Sequence, residues 1–299
     1  MAASKNIAII AKRLGLHEWQ VENTIRLLDD GATIPFISRY RKEMTGSLDE
    51  VKLLHIKDEY TRLKDLDSRR ESVIKSIVEQ DKMTPQLQEK IESAVTMAEL
   101  EDLYLPYRPK RRTRATIARE KGLEPLARLI MEQKETDPER LAEEFINDSV
   151  ADSGEAVAGA GDIIAEWINE DQTARMRLRN LYDREAVIWS KSVKGKETDG
   201  IKFRDYFDWS EPLRKCPSHR LLAMRRGEEE GFLRLAILPD EDNATAILDS
   251  LFVKGRNKSS EIVASSVRDS WKRLLAPSME TEFRNISKEK AQEEAIAVF

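Results

Sequence analysis

Apolar residues recur along this chain at intervals of three and four, the period of amphipathic helices, and two-residue alternation is rare. Ile7, Ile10 and Leu14 form the first stripe, with Ser4 placed to cap it and Gly15 to stop it. Val21, Ile25 and Leu28 form a second that ends at Gly31. Pro35 then suits the first turn of a third, short helix through Arg41. Three short helices with tight turns predict a helix-turn-helix-like unit, an arrangement that small bundles also adopt without touching DNA.

Ser47 and Glu50 have capping-box spacing, and Val51, Leu54, Leu63, Leu66, Val73, Ile74 and Ile77 continue an apolar stripe with no glycine or proline. This predicts one helix over 48–79, roughly 45 Å long at about 1.5 Å per residue, a strut between lobes. Thr84-Pro85, and Thr96 with Glu99, open two further helices. The prolines in 104–112 push their neighbours out of the helical region and predict a loop.

Helices resume near Thr116, near Pro125 and after Asp137-Pro138. Val157, Gly159, Ala160 and Gly161 form a small-residue stretch that allows close helix approach, and a long helix is predicted over 172–190. Gly195 and Gly200 open a looser segment holding Phe203, Tyr206, Phe207 and Trp209, where a boundary is placed between units 1–195 and 196–299. Ser218 is placed to cap a helix ending at Gly227, and residues 232–238 are the convincing strand candidate. Helices over 242–252, 260–275 and 279–299 follow, the last without a stop signal, as in a chain that continues. The predicted class is all-α, multi-helical, with long strut helices and at most a minor β element.

Composition agrees with that class and narrows the compartment. The 299 residues are 35% charged and only 6% aromatic, with 12 glycines and 10 prolines. The single cysteine, Cys216, cannot form an internal disulfide and fits a reducing compartment. No apolar run approaches the roughly 18 to 20 residues of a membrane span, and the N-terminus lacks a signal-peptide core, so a cytoplasmic protein is expected.

The formal net charge of -5 excludes a uniformly basic binder and directs attention to local patches. Arg108, Lys110, Arg111, Arg112, Arg114 and Arg119 crowd together with no acidic residue between Asp102 and Glu120. Such crowding calls for phosphates or protein carboxylates nearby. Tyr104 and Tyr107 beside it are placed to stack on bases. The other reading ties these arginines to acidic helices and packs the tyrosines inside, and both stay open. Arg39, Arg41 and Lys42, around Tyr40, form a second candidate, with Ile34, Phe36 and Ile37 read as core. Arg220, Arg225 and Arg226 form a third.

Cys216 and His219 make at most half a zinc site, and a structural histidine bonded at the helix start is the better reading. Glu228, Glu229 and Glu230 read as solvated or ion-paired. There is no Walker loop, dinucleotide fingerprint, paired-histidine metal motif or nucleophile elbow, so neither an enzyme nor a cofactor is expected.

Residues 31–50 (GATIPFISRYRKEMTGSLDE) closely resemble the hallmark segment of Tex proteins, a family of bacterial transcription accessory proteins. Residues 101–127 (EDLYLPYRPKRRTRATIAREKGLEPLA) and 218–228 (SHRLLAMRRGE) resemble two further signatures, in matching order. The resemblance implies a longer protein with an RNase H-like domain, helix-hairpin-helix modules and a C-terminal OB-fold that binds RNA, and kinship with a eukaryotic transcription elongation factor. Two functions are therefore expected. One is a nucleic-acid-associated helical module that contacts the RNA or DNA backbone through its basic segments. The other is a scaffold that positions the remaining domains and docks on the transcription machinery.

Overall fold

The computed structural model describes residues 2–109, 112–134 and 137–297. Helix dominates them, as the apolar spacing predicts, in two units, Met1–Arg108 and Pro109–Phe299. The division expected at residue 195 is therefore found at Pro109. Gly195 turns at φ +83° inside the second unit, whose core runs without a break from Tyr182 and Ile188 to Phe203 and Leu221.

In the first unit, α1 runs over Ala2–Leu14 and Gly15 ends it at φ +65°; the cap expected of Ser4 lies outside the described side chains. α2 (Glu18–Asp29) and α3 (Ile34–Tyr40) are joined by a tight turn through Gly31 at φ +86°. Thr33 caps α3 by accepting from the Phe36 amide at 3.4 Å, with Pro35 in the first turn as predicted. α4 (Lys42–Thr45) is a single turn closed by left-handed Gly46.

α5 (Glu50–Val78) is the expected strut, 29 residues or about 44 Å. Its cap is Asp49, accepting from the Lys52 amide at 2.8 Å, and not Ser47. Gly46 and Ser47 both take positive φ and turn the chain first, and Glu50 is engaged by the Ser38 hydroxyl at 2.9 Å. Leu53, Ile56, Leu63, Leu66, Val73 and Ile77 are buried, whereas Val51 and Leu54, expected in the stripe, face solvent. The stripe divides between two cores. Leu53, Ile56 and Leu63 join Ile10, Val21, Ile25 and Ile37, and Leu66, Val73 and Ile77 join Leu87, Ile91 and Leu100. The second group comes from α6 (Pro85–Ser93), capped by Thr84, and α7 (Met97–Tyr104), whose Thr96–Glu99 capping box forms as predicted.

The second unit contains α8 (Arg114–Glu120), α9 (Glu124–Glu132), α10 (Pro138–Ala142), α11 (Ser153–Glu170) and α12 (Gln172–Glu185). α11 runs through the core, burying Ala156, Ala160, Ile163, Ile164 and Ile168. A Cβ at Gly159 would meet Leu123 Cδ1 at 2.5 Å and Ala118 Cβ at 3.4 Å, so the small-residue stretch does permit close approach.

The helix predicted over 172–190 stops at Glu185, because Val187, Ile188 and Trp189 favour a strand and bury at period two. β1 (Val187–Ser192) is the centre of a three-stranded antiparallel sheet ordered β2-β1-β3, with β2 (Asp208–Pro212) and the expected strand β3 (Leu233–Leu238) at its sides. Val187 pairs with Leu238 and with Pro212, which fixes both registers. α13 (Ser218–Glu229) starts at Ser218 with Pro217 as N-cap, so Ser218 is not the cap, and its hydroxyl bonds Glu294 instead.

α14 (Glu241–Phe252) and α15 (Lys258–Ser270) follow. A π turn over Trp271–Leu275 leads into α16 (Ala276–Ala297), where the sequence predicts separate helices. Pro277 lacks the N–H that would close a regular turn there, and the widened turn absorbs the loss. Among the described residues, no helix is long and apolar enough to cross a membrane.

Candidate functional site

Three neighbouring cations in the first unit have no carboxylate partner among the described residues. Arg39 ends the last turn of α3, Arg41 bridges α3 and α4, and Lys42 opens α4. All three are exposed, and among the described residues none forms an ion pair. Arg41 places its guanidinium 5.4 Å from the Phe36 ring centroid and donates to the Tyr40 carbonyl at 3.4 Å. The Phe36 and Tyr40 rings lie 5.4 Å apart at 42°. Phe36, read from the sequence as core, is 40% exposed, and Tyr40 is 64% exposed; Ile37 is the apolar residue of α3 that is fully buried.

The backbone under this patch is held by α2. The Gln20 side chain donates to the Thr45 carbonyl at 3.1 Å and Asn23 to the Met44 carbonyl at 2.9 Å. Gly46 lies so close to α2 that a Cβ would stand 2.7 Å from Gln20 Nε2 and 2.8 Å from the Trp19 ring.

The basic segment that is strongest in the sequence is divided by the fold. Arg108 closes the first unit, exposed and without an ion pair among the described residues. Lys110 and Arg111 lie outside the described residues. In the second unit Arg112 reaches Glu120 at 3.4 Å while both stay exposed, and Arg114 is exposed and makes no hydrogen bond or close ion pair among the described residues, although its charge acts on the Asp162 carboxyl. Arg119 is taken inward, bonded to Glu166, 8% exposed on α11, and 3.6 Å from Glu124.

Stacking on the adjoining tyrosines is not supported. Tyr104 is buried, bonds Ser76 at 3.0 Å and carries the Arg69 guanidinium 5.2 Å from its ring centroid. Tyr107 follows in a 3-10 turn over Leu105–Tyr107, so the stretch predicted as loop is partly helical.

The third basic group is also mostly absorbed. Arg220 bonds Glu211 at 2.7 Å and lies 4.9 Å from the Trp209 ring centroid, Arg225 pairs with Glu228 at 3.0 Å, and Arg226 alone is exposed and without a close ion pair among the described residues, although its charge acts on Glu229. Burial would raise the Glu211 carboxyl, but hydrogen bonds from Arg220, Cys216 and Trp209 win and hold it below the usual range. Glu228, Glu229 and Glu230 are ion-paired, to Arg284 at 2.9 Å, Lys288 at 3.1 Å and Lys202 at 2.5 Å.

Burial, with Glu211 close by, pushes the Cys216 thiol up to about 12, which is opposite to what a metal-binding thiolate needs. His219 is exposed and makes no side-chain hydrogen bond among the described residues, contrary to the bonded role expected for it. No cluster of three His, Cys, Asp or Glu among the described residues is arranged to hold a metal ion. A cleft of about 330 Å³ lined by Tyr182, Cys216, Phe283, Arg214, Lys215 and Lys290 was not anticipated, because those residues are scattered along the chain.

Sequence reasoning singled out Arg39, Tyr40, Arg41 and Lys42 as a second candidate but assigned Phe36 to the interior. The available signal was position: Phe36 and Tyr40 are four apart on a seven-residue helix whose inward position is already filled by Ile37.

Comparison with known proteins places these features in a family. The model of the Tex-like protein N-terminal domain matches residues 4–78, and that of the Tex central region matches residues 133–299. The chain is 41% identical over 297 residues to the transcriptional accessory protein Tex of Neisseria gonorrhoeae, covering 97% of this chain and 39% of that protein. It is 41% identical over 303 residues to protein YhgF of Escherichia coli, with the same 97% and 39% coverage. It is 29% identical over 313 residues to the human S1 RNA-binding domain-containing protein 1, covering 98% of this chain and 31% of that protein. The chain spans about two fifths of the length of its bacterial relatives. With one model matching more than half of its residues and the other covering its first helices, the chain belongs to the Tex family of transcription accessory proteins.

Proposed function

We propose that this chain is a nucleic-acid-associated module of a cytoplasmic transcription accessory protein, contacting the RNA or DNA backbone through Arg39, Arg41 and Lys42. The observation that carries the reading is that these three side chains, adjacent and exposed, have no carboxylate partner among the described residues, while Arg119, Arg220 and Arg225 are held by Glu166, Glu211 and Glu228. Cations left together without anions repel one another, and a phosphate backbone relieves that repulsion while releasing condensed counterions. Arg108, Arg112, Arg114 and Arg226 are exposed cations that add contacts on other surfaces, with Lys110 and Arg111 beside them in sequence.

The test is fluorescence anisotropy with labelled RNA and DNA at about 50 and 200 mM salt, the range over which phosphate contacts weaken steeply. Replacing Arg39, Arg41 and Lys42 together by Gln is expected to weaken binding and reduce the salt slope by about one per lost contact. An unchanged affinity and slope would refute the assignment.

A second reading, a scaffold that positions the rest of a longer protein and docks on the transcription machinery, is favoured by α5, which carries two cores on one helix, and by the internally paired arginines. It wins if the chain binds no nucleic acid at the lower salt.

A further inference from the structure

We infer that the α3 surface takes nucleic acid as a single strand, with bases stacking on Tyr40 and Phe36 while Arg39, Arg41 and Lys42 hold the phosphates; this rests on the backbone-contacting role proposed above. Ile37 and Ser38 are the buried residues of α3, and Phe36, Arg39 and Tyr40, at spacings of three and four, share its outward side. Two large rings and a guanidinium therefore occupy the surface that a duplex-reading helix would present to a groove.

That composition separates the two forms of nucleic acid. Reading a duplex requires side chains that match base-edge donors and acceptors, such as Asn, Gln or a bidentate Arg, on a helix that enters the major groove. Of this outward side only Arg39 offers a bidentate donor; the phenyl ring carries no hydrogen-bonding group and the phenol a single hydroxyl, so most of the surface is suited to stacking and not to edge reading. Every unpaired base does offer a π face, and single-strand sites pair aromatic platforms with a positive surface along the backbone. Here both components occur within seven residues. Tyr40 is 64% exposed and tilted 42° from Phe36, whose ring already has the Arg41 guanidinium 5.4 Å from its centroid.

Charge also favours a polyanion over a protein surface. Glu43, the acidic residue next in sequence, is exposed, but the three cations outweigh it, and Glu50 is engaged by Ser38. The backbone that follows the patch is tied to α2, because the Gln20 and Asn23 amides bond the Thr45 and Met44 carbonyls and Gly46 packs closely on Trp19, which limits the ordering that binding would require.

The experiment uses the full chain with fluorescein-labelled oligouridylate, oligothymidylate and a duplex of equal length. Tyr40→Leu keeps a large apolar side chain and removes the ring, and Tyr40→Phe keeps the ring. Wild type is expected to bind either single strand more tightly than the duplex, with the preferred strand identifying RNA or DNA as the source. Tyr40→Leu is expected to weaken single-strand binding roughly tenfold at an unchanged salt slope, and Tyr40→Phe to preserve it. If the Arg39, Arg41 and Lys42 to Gln variant weakens binding but Tyr40→Leu does not, stacking is overturned and the phosphate-contacting role stands. If the triple variant has no effect, or no oligonucleotide binds, both fall and the patch is a protein contact. Melting curves establish that each variant is folded, as expected for residues this exposed.

Discussion

Arg284 on α16 holds the Glu228 carboxylate of α13 with two hydrogen bonds, at 2.9 and 3.0 Å, and both residues also bond the backbone of Leu235. Glu280, itself bonded to Arg284 at 3.0 Å, accepts from the Ile237 amide at 3.2 Å. β3 lies at the side of the sheet, so these contacts occupy backbone groups that an open edge would offer to another chain.

Arg284→Met should therefore do more than remove an ion pair. It leaves Glu228, Glu280 and the Leu235 carbonyl short of a donor, and a loss of about 3 kcal/mol is expected by urea denaturation. The same variant should self-associate at high concentration in sedimentation experiments. Wild-type stability together with unchanged sedimentation would show that the network does not guard the edge.

Helix packing around Gly159 gives a second test. Gly159→Ala places a Cβ against Leu123 and should cost about 1 to 3 kcal/mol, despite alanine's better helix propensity. Leu123→Ala alone opens a cavity and is also destabilising. The two together should lose less than the sum, by about 1 kcal/mol in a double-mutant cycle, because the new methyl enters the space that leucine vacates.

Acid stability should report on the Arg220–Glu211 pair. Glu211 is held below the usual carboxylate range when folded, so it adds stability above its unfolded pKa and loses that contribution as pH falls through its folded value. Arg220→Gln should lower the urea midpoint at neutral pH, and the difference from wild type should shrink on acidification below the ordinary carboxylate range. A difference that stays constant with pH would locate the effect in packing against Trp209 instead.

The Cys216 thiol, raised to about 12 chiefly by burial, should be nearly inert in the native protein. At pH 8 its thiolate fraction is roughly a thousandfold below that of an ordinary cysteine, and its reaction with a disulfide reagent should be slower to match. Full reactivity should appear only in denaturant.

How far the fold was legible follows from the range of the forces involved. Helix caps depend on residues within one turn, and Thr84 and Thr96 were readable for that reason. Ser47 misled because it takes a positive φ directly after left-handed Gly46, whereas an N-cap takes an extended backbone, and sequence spacing does not carry that. β1 was hidden behind a helical stretch, because a six-residue strand needs its partners β2 and β3 to exist, and these lie tens of residues away. At the candidate site, clustering of charge was visible but pairing was not. Arg119 finds Glu166 47 residues away, while Arg39 finds no carboxylate among the described residues, and only the fold distinguishes them.

The sharing of α5 by two cores has a geometric consequence. A helix advances about 100° per residue, so one residue inserted between Leu63 and Leu66 would swing the stripe of Leu66, Val73 and Ile77 away from Leu87 and Ile91 while leaving Leu53 and Ile56 seated. The first unit thus works like a camshaft, on which the angle between its two ends is set by the number of residues between them.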